Sequence, residues 1–303
     1  MAVVTNSLVE VNGFMSQSRF NAGFGTRRAV DVRVYAPRPK RSVKAQRQEL
    51  EVKLADLQQD YAELRTEIFE AAQVHRRLCA PRHVRFGNFD IASEIFAVRH
   101  LPGDFFTVEE KSDGVILALG DICGKGLAAG MWTTHMVGLV GARVAVTSKP
   151  EAIVAGVNRD VCLMESFMPL ASLFLAKLDP TTGIVKYCSA GHPPAFLLRA
   201  NGELELLSEG GMLLGVVAAA PYVCGSFELG DGDVLMIYSD GITESLNGAG
   251  EEFGYARLET QLRLAQAGAA DAALFSVLGA VQDFAAACPL VDDMSLAIVR
   301  RDN

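Results

Sequence analysis

Short apolar runs separated by tight turn sequences fill most of the chain after residue 88, and they restrict the fold more than any other feature. Such runs are separated by Asp179-Pro-Thr-Thr-Gly183, Asn201-Gly202 and Gly230-Asp-Gly-Asp233. Asp, Asn and Gly supply the backbone conformations of hairpin turns, so successive strands reverse direction and pair antiparallel. The pattern predicts strands at residues 90–98, 115–122, 172–178, 184–189, 195–199, 203–207, 223–229, 234–238 and 295–300.

Helical patterns come in pairs between these groups of strands. They cover residues 127–146, 150–167, 257–266 and 270–287. Paired helices can cover the outer faces of antiparallel sheets, whereas a parallel βαβ repeat would need one helix after each strand. The predicted class is therefore α+β, with residues 84–301 forming an αββα sandwich of two antiparallel β-sheets flanked by helices.

A long heptad pattern precedes this domain, at residues 45–80. Its seam positions are Leu50, Leu54, Leu57, Tyr61, Leu64, Ile68, Ala71, His75 and Leu78. A narrow seam sustained over several heptads predicts a coiled-coil dimerisation helix and hence a homodimer, and Pro81 ends the helix. The alternative is a helix that packs its apolar stripe on its own domain. Residues 1–44 are basic and acid-poor, and we predict a disordered tail rather than an organelle transit peptide.

Composition excludes several classes of protein. The formal net charge of −8 argues against nucleic-acid binding, which needs clustered Lys and Arg. The 6 cysteines are scattered singly, in neither a zinc-ligand nor a disulfide-rich spacing. No apolar stretch is long and uninterrupted enough to predict a membrane span. The sequence thus predicts a cytoplasmic protein.

Four aspartates lie where strand-like runs break: Asp104, Asp121, Asp240 and Asp292. Taken singly, each fits an ordinary turn, because Asp bonds its own backbone and Gly follows easily. Asp292 and Asp293 are adjacent like charges before a buried run, and such a pair repels unless a cation compensates it. Carboxylate oxygens without His or Cys partners suit Mg²⁺ or Mn²⁺. Together the aspartates predict a divalent metal site that activates water to hydrolyse a phosphate ester.

Two further motifs are candidates for contact with the substrate. Gly124, Lys125 and Gly126 open the helix at residue 127, where backbone N–H groups and the helix dipole favour phosphate. Lys125 either binds that phosphate or lies on a solvated face. His192, in a Gly/Pro turn, is either a general acid for the leaving alkoxide or a residue that ties the loop by hydrogen bonds.

Together these blocks resemble the SpoIIE-type branch of the PPM family of metal-dependent serine/threonine protein phosphatases. The resemblance rests on seven blocks in family order, over residues 73–301. They are Pro102-Gly-Asp-Phe-Phe106, Leu119-Gly-Asp-Ile-Cys-Gly-Lys-Gly126, Ser189-Ala-Gly-His-Pro-Pro194, Leu213-Leu-Gly215, Leu235-Met-Ile-Tyr-Ser-Asp-Gly-Ile-Thr-Glu-Ser245, Glu251-Glu-Phe-Gly254 and Asp292-Asp-Met-Ser295.

The resemblance implies a centre of two Mn²⁺ or Mg²⁺ ions. Asp121 would bridge them beside the Ile122 carbonyl, Asp104 would serve one ion, and Asp240 and Asp292 the other. Asp293, next to Asp292, is a further residue of the implied metal site, either as a ligand or in support of one. The resemblance also implies direct attack of metal-activated water on phosphoserine or phosphothreonine, without a covalent enzyme intermediate. The implied substrate is a STAS-type anti-sigma factor antagonist in bacterial partner switching, and an activating protein would dock on the coiled coil.

The chain departs from the family pattern at three positions. Pro102 replaces a Gly, Thr107 stands where an Asp is common, and Cys123 replaces a common Ser. These changes leave open a catalytically silent dimeric scaffold with the same fold. A nucleotide-hydrolysing enzyme is a weaker alternative, because no base- or ribose-binding motif is present.

Overall fold

The computed structural model describes residues 42–164, 169–286 and 288–302. The chain divides into two compact units, residues 1–55 and 56–303. The first unit is described only from residue 42, so nearly all of the predicted basic tail at residues 1–44 lies outside the described residues. Helix α1 (Val43–Leu78) begins in the first unit and ends in the second, just before Pro81 as predicted.

Most of the predicted seam of α1 is exposed. The side chains of Leu57, Tyr61 and Leu64 are each more than half accessible to solvent. His75, also a predicted seam residue, is instead buried by its own chain, and it is the one buried residue that α1 contains. His75 therefore interrupts the exposed seam in the last turn of α1, where Leu78 is exposed again. Pairing with a second helix stays a prediction.

Among the described residues, twelve strands build the two sheets. In chain order they are β1 His83–Phe86, β2 Phe89–Phe96, β3 Phe105–Lys111, β4 Gly114–Ile122, β5 Ala171–Leu178, β6 Ile184–Ala190, β7 Ala195–Leu198, β8 Leu204–Leu207, β9 Gly210–Gly211, β10 Gly225–Glu228, β11 Val234–Tyr238 and β12 Met294–Arg301. One sheet has the order β1-β2-β12-β11-β7-β8 and the other β10-β6-β5-β4-β3. All these neighbours are antiparallel, while the short β9 pairs with β6 in parallel.

Helices cover both outer faces. They are α2 Leu127–Val146, α3 Pro150–Leu163, α4 Asp240–Thr243, α5 Gly254–Ala265 and α6 Ala270–Ala285. Among the described residues, no helix is long and apolar enough to span a membrane. The predicted helices at 150–167 and 270–287 are present but end earlier than predicted, at Leu163 and Ala285, each before a described non-helical residue. Residues 165–168 and 287 lie outside the described residues.

Three apolar layers hold the sandwich together. Phe106, Leu117 and Leu235 belong to the layer between the sheets. A second layer packs α2 and α3 on the β4 sheet, and a third packs α5 and α6 on the β11 sheet. Buried apolar area is the dominant favourable term in folding, so these layers fix the two sheets back to back. The predicted αββα class is confirmed.

Three strands and one short helix were not predicted. The outer half of β3 is partly exposed and carries Glu109 and Glu110, and β1 alternates between exposed and half-buried residues at a sheet edge. Charged side chains are common on exposed strand edges, and they hide the apolar periodicity. Strand β9 has two residues and α4 only four, too few for either to show a period.

Candidate metal centre

Antiparallel pairing of β3 with β4 brings the first two predicted carboxylates together. Phe105 lies opposite Gly120, so the preceding Asp104 falls beside Asp121 near the end of β4. The Asp104 side chain is 1% exposed, and the two carboxyl groups are within hydrogen-bonding range of each other. A side chain on Gly120 would overlap the Phe105 ring, so the glycine permits this close pairing.

The other two carboxylates stand at the ends of the neighbouring strands β11 and β12. Asp240 is the first residue of α4, directly after β11, and Asp292 lies in the loop before β12. These strands pair antiparallel, with Tyr238 opposite Leu296. Gly241 lies against the Asp293 carbonyl so closely that a Cβ atom would overlap the oxygen.

Two serines on the β11 sheet reach the buried Asp104 carboxyl. The Ser295 hydroxyl donates to Asp104 Oδ2 at 2.5 Å, and the Ser239 hydroxyl, which also faces this carboxyl, donates to the Asp293 carbonyl at 3.3 Å. The Ser295 backbone N–H in turn donates to Ser239 Oγ at 2.9 Å. The sequence assigned neither serine a role, although both lie inside the motif blocks and Ser239 directly precedes Asp240. They position Asp104 across the gap between the sheets.

Asp293 holds the loop that carries Asp104. Its two carboxylate oxygens accept the Val98 N–H at 2.7 Å and the Gly103 N–H at 2.6 Å. The Thr133 hydroxyl donates to the Gly103 carbonyl at 2.8 Å from helix α2. Because both Asp293 oxygens already accept backbone protons, this geometry favours a positioning role over direct metal ligation. Pro102 lacks an N–H group, and the donors of this loop do not depend on it.

Burial and mutual repulsion raise the pKa values of three of these carboxyl groups. The pKa of Asp104 lies well above its ordinary value, first through burial and then through the Asp121 charge. The pKa of Asp121 is raised to about 6, by burial and by Asp240. The pKa of Asp240 is raised by burial and then by Asp292. Each carboxylate thus feels the next, and positive charge bound among them would stabilise the cluster.

The donor chemistry fits a hard divalent cation. All four predicted ligands offer carboxylate oxygen, the ligand type of Mg²⁺ and Mn²⁺. In residues 42–164, 169–286 and 288–302, no three His, Cys, Asp or Glu side chains are yet close enough to form a metal shell. The carboxyl groups therefore meet as neighbours and would still have to turn inward on binding. Asp104, Asp121, Asp240 and Asp292 are the residues that would hold the metal. Ile122, whose carbonyl is a further proposed ligand, is the last residue of β4.

The Gly-Lys-Gly loop lies beside this cluster. Lys125 Nζ contacts Asp292 Oδ2 at 2.7 Å and donates to the Val291 carbonyl at 2.6 Å. Gly124 and Gly126 both have positive φ angles, which let the backbone turn into α2. Lys125 is therefore not simply a solvated surface lysine, because its ammonium group pairs with the Asp292 carboxylate of the cluster. Arg99, which the sequence did not single out, packs beside Gly126 at the same helix start.

His192 lies beneath the surface. Its side chain is 6% exposed, and its Nδ1 is 2.8 Å from Ser172 Oγ, on the strand partner of Asp121. Burial lowers the pKa of His192 to about 3, so the ring is neutral at physiological pH. This position favours the loop-tying alternative over direct contact with a leaving group.

Solved structures share this architecture. The SiaA-PP2C domain of Pseudomonas aeruginosa superposes with a TM-score of 0.71 at 17% identity, over 80% of this chain and 99% of that chain. The catalytic domain of the serine/threonine protein phosphatase PstP, in complex with 2 manganese ions, matches with a TM-score of 0.51 at 16% identity, over 71% of this chain and 99% of that one. Two back-to-back sheets with flanking helix pairs thus define a PP2C-type fold.

The sequence comparisons identify the family within that fold. The family model described as Stage II sporulation protein E (SpoIIE) matches residues 111–302, more than half of the chain. The phosphoserine phosphatase RsbU of Bacillus subtilis is 24% identical over 242 residues, which are 79% of this chain and 71% of RsbU. The chain belongs to the SpoIIE family. Three of the four aspartates lie inside the matched range, and Asp104 lies just before it.

Proposed function

We propose that this protein is a metal-dependent phosphatase that hydrolyses phosphoserine and phosphothreonine on another protein. The observation that carries the proposal is the convergence of four carboxylates from both sheets at one edge of the sandwich. The pKa values of Asp104, Asp121 and Asp240 are raised by burial and by neighbouring carboxylates. The name and activity of RsbU support the same chemistry. An intact set of carboxylates also favours an enzyme over the silent scaffold.

The residues of the chain have separate tasks in this proposal. Asp104, Asp121, Asp240 and Asp292 would hold two Mn²⁺ or Mg²⁺ ions, which supply charge neutralisation of the phosphoryl oxygens and a water acidified toward neutral pH. Asp293 and Ser295 keep Asp104 in place, through the Gly103 N–H and through the carboxyl itself. Lys125 and the backbone N–H groups at the start of α2 would bind the phosphate.

Metal dependence is the first prediction. We expect turnover of p-nitrophenyl phosphate and of a phosphorylated STAS-domain protein with Mn²⁺, and loss of both activities with excess chelator, because oxygen ligands alone hold the ions. Release of phosphate measures both reactions. Restoring Mn²⁺ to the chelated sample controls for denaturation. Equal turnover with and without chelator would contradict the proposed function.

We further propose that the natural substrate is a STAS-type protein of a bacterial partner-switching pathway. The support is the family membership together with the RsbU relative. An activating protein would act through α1, the element that precedes the phosphatase domain. A phosphorylated STAS protein turned over no better than an unrelated phosphopeptide would contradict this part of the proposal while leaving the phosphatase activity intact.

The second prediction concerns the homodimer. Leu57 and Leu64 are exposed apolar seam residues of α1, and Glu at both positions would place like charges across a two-stranded coil. We expect wild type to sediment as a dimer and the Leu57→Glu/Leu64→Glu variant as a monomer. Val52→Glu, at an exposed apolar position of α1 outside the seam, is the matched control and should remain dimeric. A monomeric wild type at micromolar concentration would refute the coiled coil.

A further inference from the structure

A cavity of about 790 Å³ opens where the C-terminal end of α1 meets β2 and the start of β3. This volume lies within the range of about 300–1,000 Å³ that small-molecule sites occupy. Apolar side chains form part of its wall, among them Ala72, Ile95 and Phe106. The cavity is separate from the carboxylate cluster, and the proposed phosphatase reaction gives it no task.

Two buried ionisable side chains line this cavity. His75 is 4% exposed, and its Nε2 has no hydrogen-bond partner among the described residues. Burial lowers the pKa of His75, so the ring is neutral and able to donate or accept one hydrogen bond. A buried ring nitrogen without a partner costs free energy that a bound polar group would recover. Glu94, the second group, is also buried.

The charges at the cavity are predominantly positive. Glu94 is paired with both Arg82, at 2.5 Å, and Arg76, at 3.7 Å. One carboxylate thus faces two guanidinium groups, and Arg77 adds a third cation to the lining. The Arg76 contact is the longer of the two pairs, so Arg76 is the more available of the two paired guanidinium groups for an incoming anion.

We propose that this cavity binds a small amphipathic anion, an aromatic or branched apolar body that carries one carboxylate, phosphate or sulfonate group. The body would pack against Ala72, Ile95 and Phe106, and the anionic group would meet Arg76 at the mouth. His75 would complete the site with one hydrogen bond. Apolar walls with a few convergent polar groups are the usual composition of such sites.

The cavity shares a loop with the candidate metal centre. His100 and Pro102 line the cavity, and the same loop presents the Val98 and Gly103 N–H groups to Asp293. A ligand that packs against Pro102 would therefore contact the segment that positions Asp104. This gives the anion a physical route to the metal ligands without occupying their site.

The test uses the full-length protein and the fluorescent anion 8-anilino-1-naphthalenesulfonate as the probe. We expect saturable one-site binding to wild type, and about tenfold weaker binding to Ala72→Trp, which fills the cavity. Val74→Trp, at an exposed position of α1 outside both the seam and the cavity lining, is the matched control and should bind as wild type does. Arg76→Gln should weaken the anion several-fold and leave the uncharged analogue N-phenyl-1-naphthylamine unaffected.

Equal binding of the probe to wild type and to Ala72→Trp would overturn the proposal, since the fluorescence would then report the exposed seam of α1. Unchanged anion binding in Arg76→Gln would also overturn it, because the recognition of charge would have failed. Far-ultraviolet circular dichroism of each variant shows whether it is folded. The readout is binding and not turnover, so the result stands independently of the proposed phosphatase activity.

Discussion

Replacing Asp121 by Asn is expected to lower phosphatase turnover by about 10³-fold or more at saturating Mn²⁺. Asp121 is the central carboxyl of the cluster, since it contacts Asp104 on one side and feels the Asp240 charge on the other. The amide keeps the shape of the side chain and removes the negative charge that would hold the metals. The measurement is steady-state hydrolysis of p-nitrophenyl phosphate over a range of Mn²⁺ concentrations. Asp231→Asn, in an exposed turn of the same domain, is the matched control.

Thermal unfolding distinguishes loss of chemistry from loss of fold in the same variant. The pKa of Asp121 is raised from 3.8 to about 6, so the folded protein binds this proton more tightly than the unfolded chain does. Without metal, wild-type stability should therefore decline as pH rises from 3.8 to about 6 and stay low above that range. Asp121→Asn should melt higher than wild type at about pH 7.5 without metal, and it should gain less on adding Mn²⁺. A variant with wild-type turnover, or with a wild-type Mn²⁺ shift, would contradict the role given to Asp121.

The sequence predicted the fold because its signals are local. Turn sequences such as Asn201-Gly202 set the strand directions. The apolar helices predicted at residues 127–146 and 270–287 must bury their apolar faces, and the sheets offer the surface for this. Strand β3 was not predicted, because its outer half is polar. Its pairing with β4 nevertheless places Asp104 beside Asp121. A shift of one residue in the pairing of β3 with β4 would turn the Asp104 side chain away from Asp121. The sequence pattern alone does not determine this register.

The candidate site was predictable as a set of carboxylates but not as a network. Asp104 and Ser295 are far apart in the chain. No local sequence pattern predicts that the Ser295 hydroxyl donates to the Asp104 carboxylate across the two sheets. The position of Asp293 was predicted, but its two backbone hydrogen bonds depend on the path of the loop at residues 97–103. His192 shows the opposite difference. Its place in a motif made it a candidate general acid, but in the structure its ring is buried against Ser172.

Gly241→Ala is expected to be the most damaging single-methyl change near the candidate centre. Its added Cβ would overlap the Asp293 carbonyl oxygen, which is backbone and has no rotamer to change. Asp240 precedes this glycine and Asp293 follows Asp292, so any relief must move two of the proposed ligands apart. We expect a melting temperature several degrees lower and Mn²⁺-dependent turnover reduced by about 10²-fold.

Gly248→Ala provides the comparison, because Gly248 lies in an exposed turn a few residues further on and its added Cβ would meet nothing within 4 Å. That variant should keep wild-type melting and turnover, since it has the same change in composition without the overlap. If Gly241→Ala matched it in both measurements, the backbone of the loop at residues 292–293 would have room to yield. That result would contradict the prediction that the close approach of α4 to this loop holds Asp240 next to Asp292.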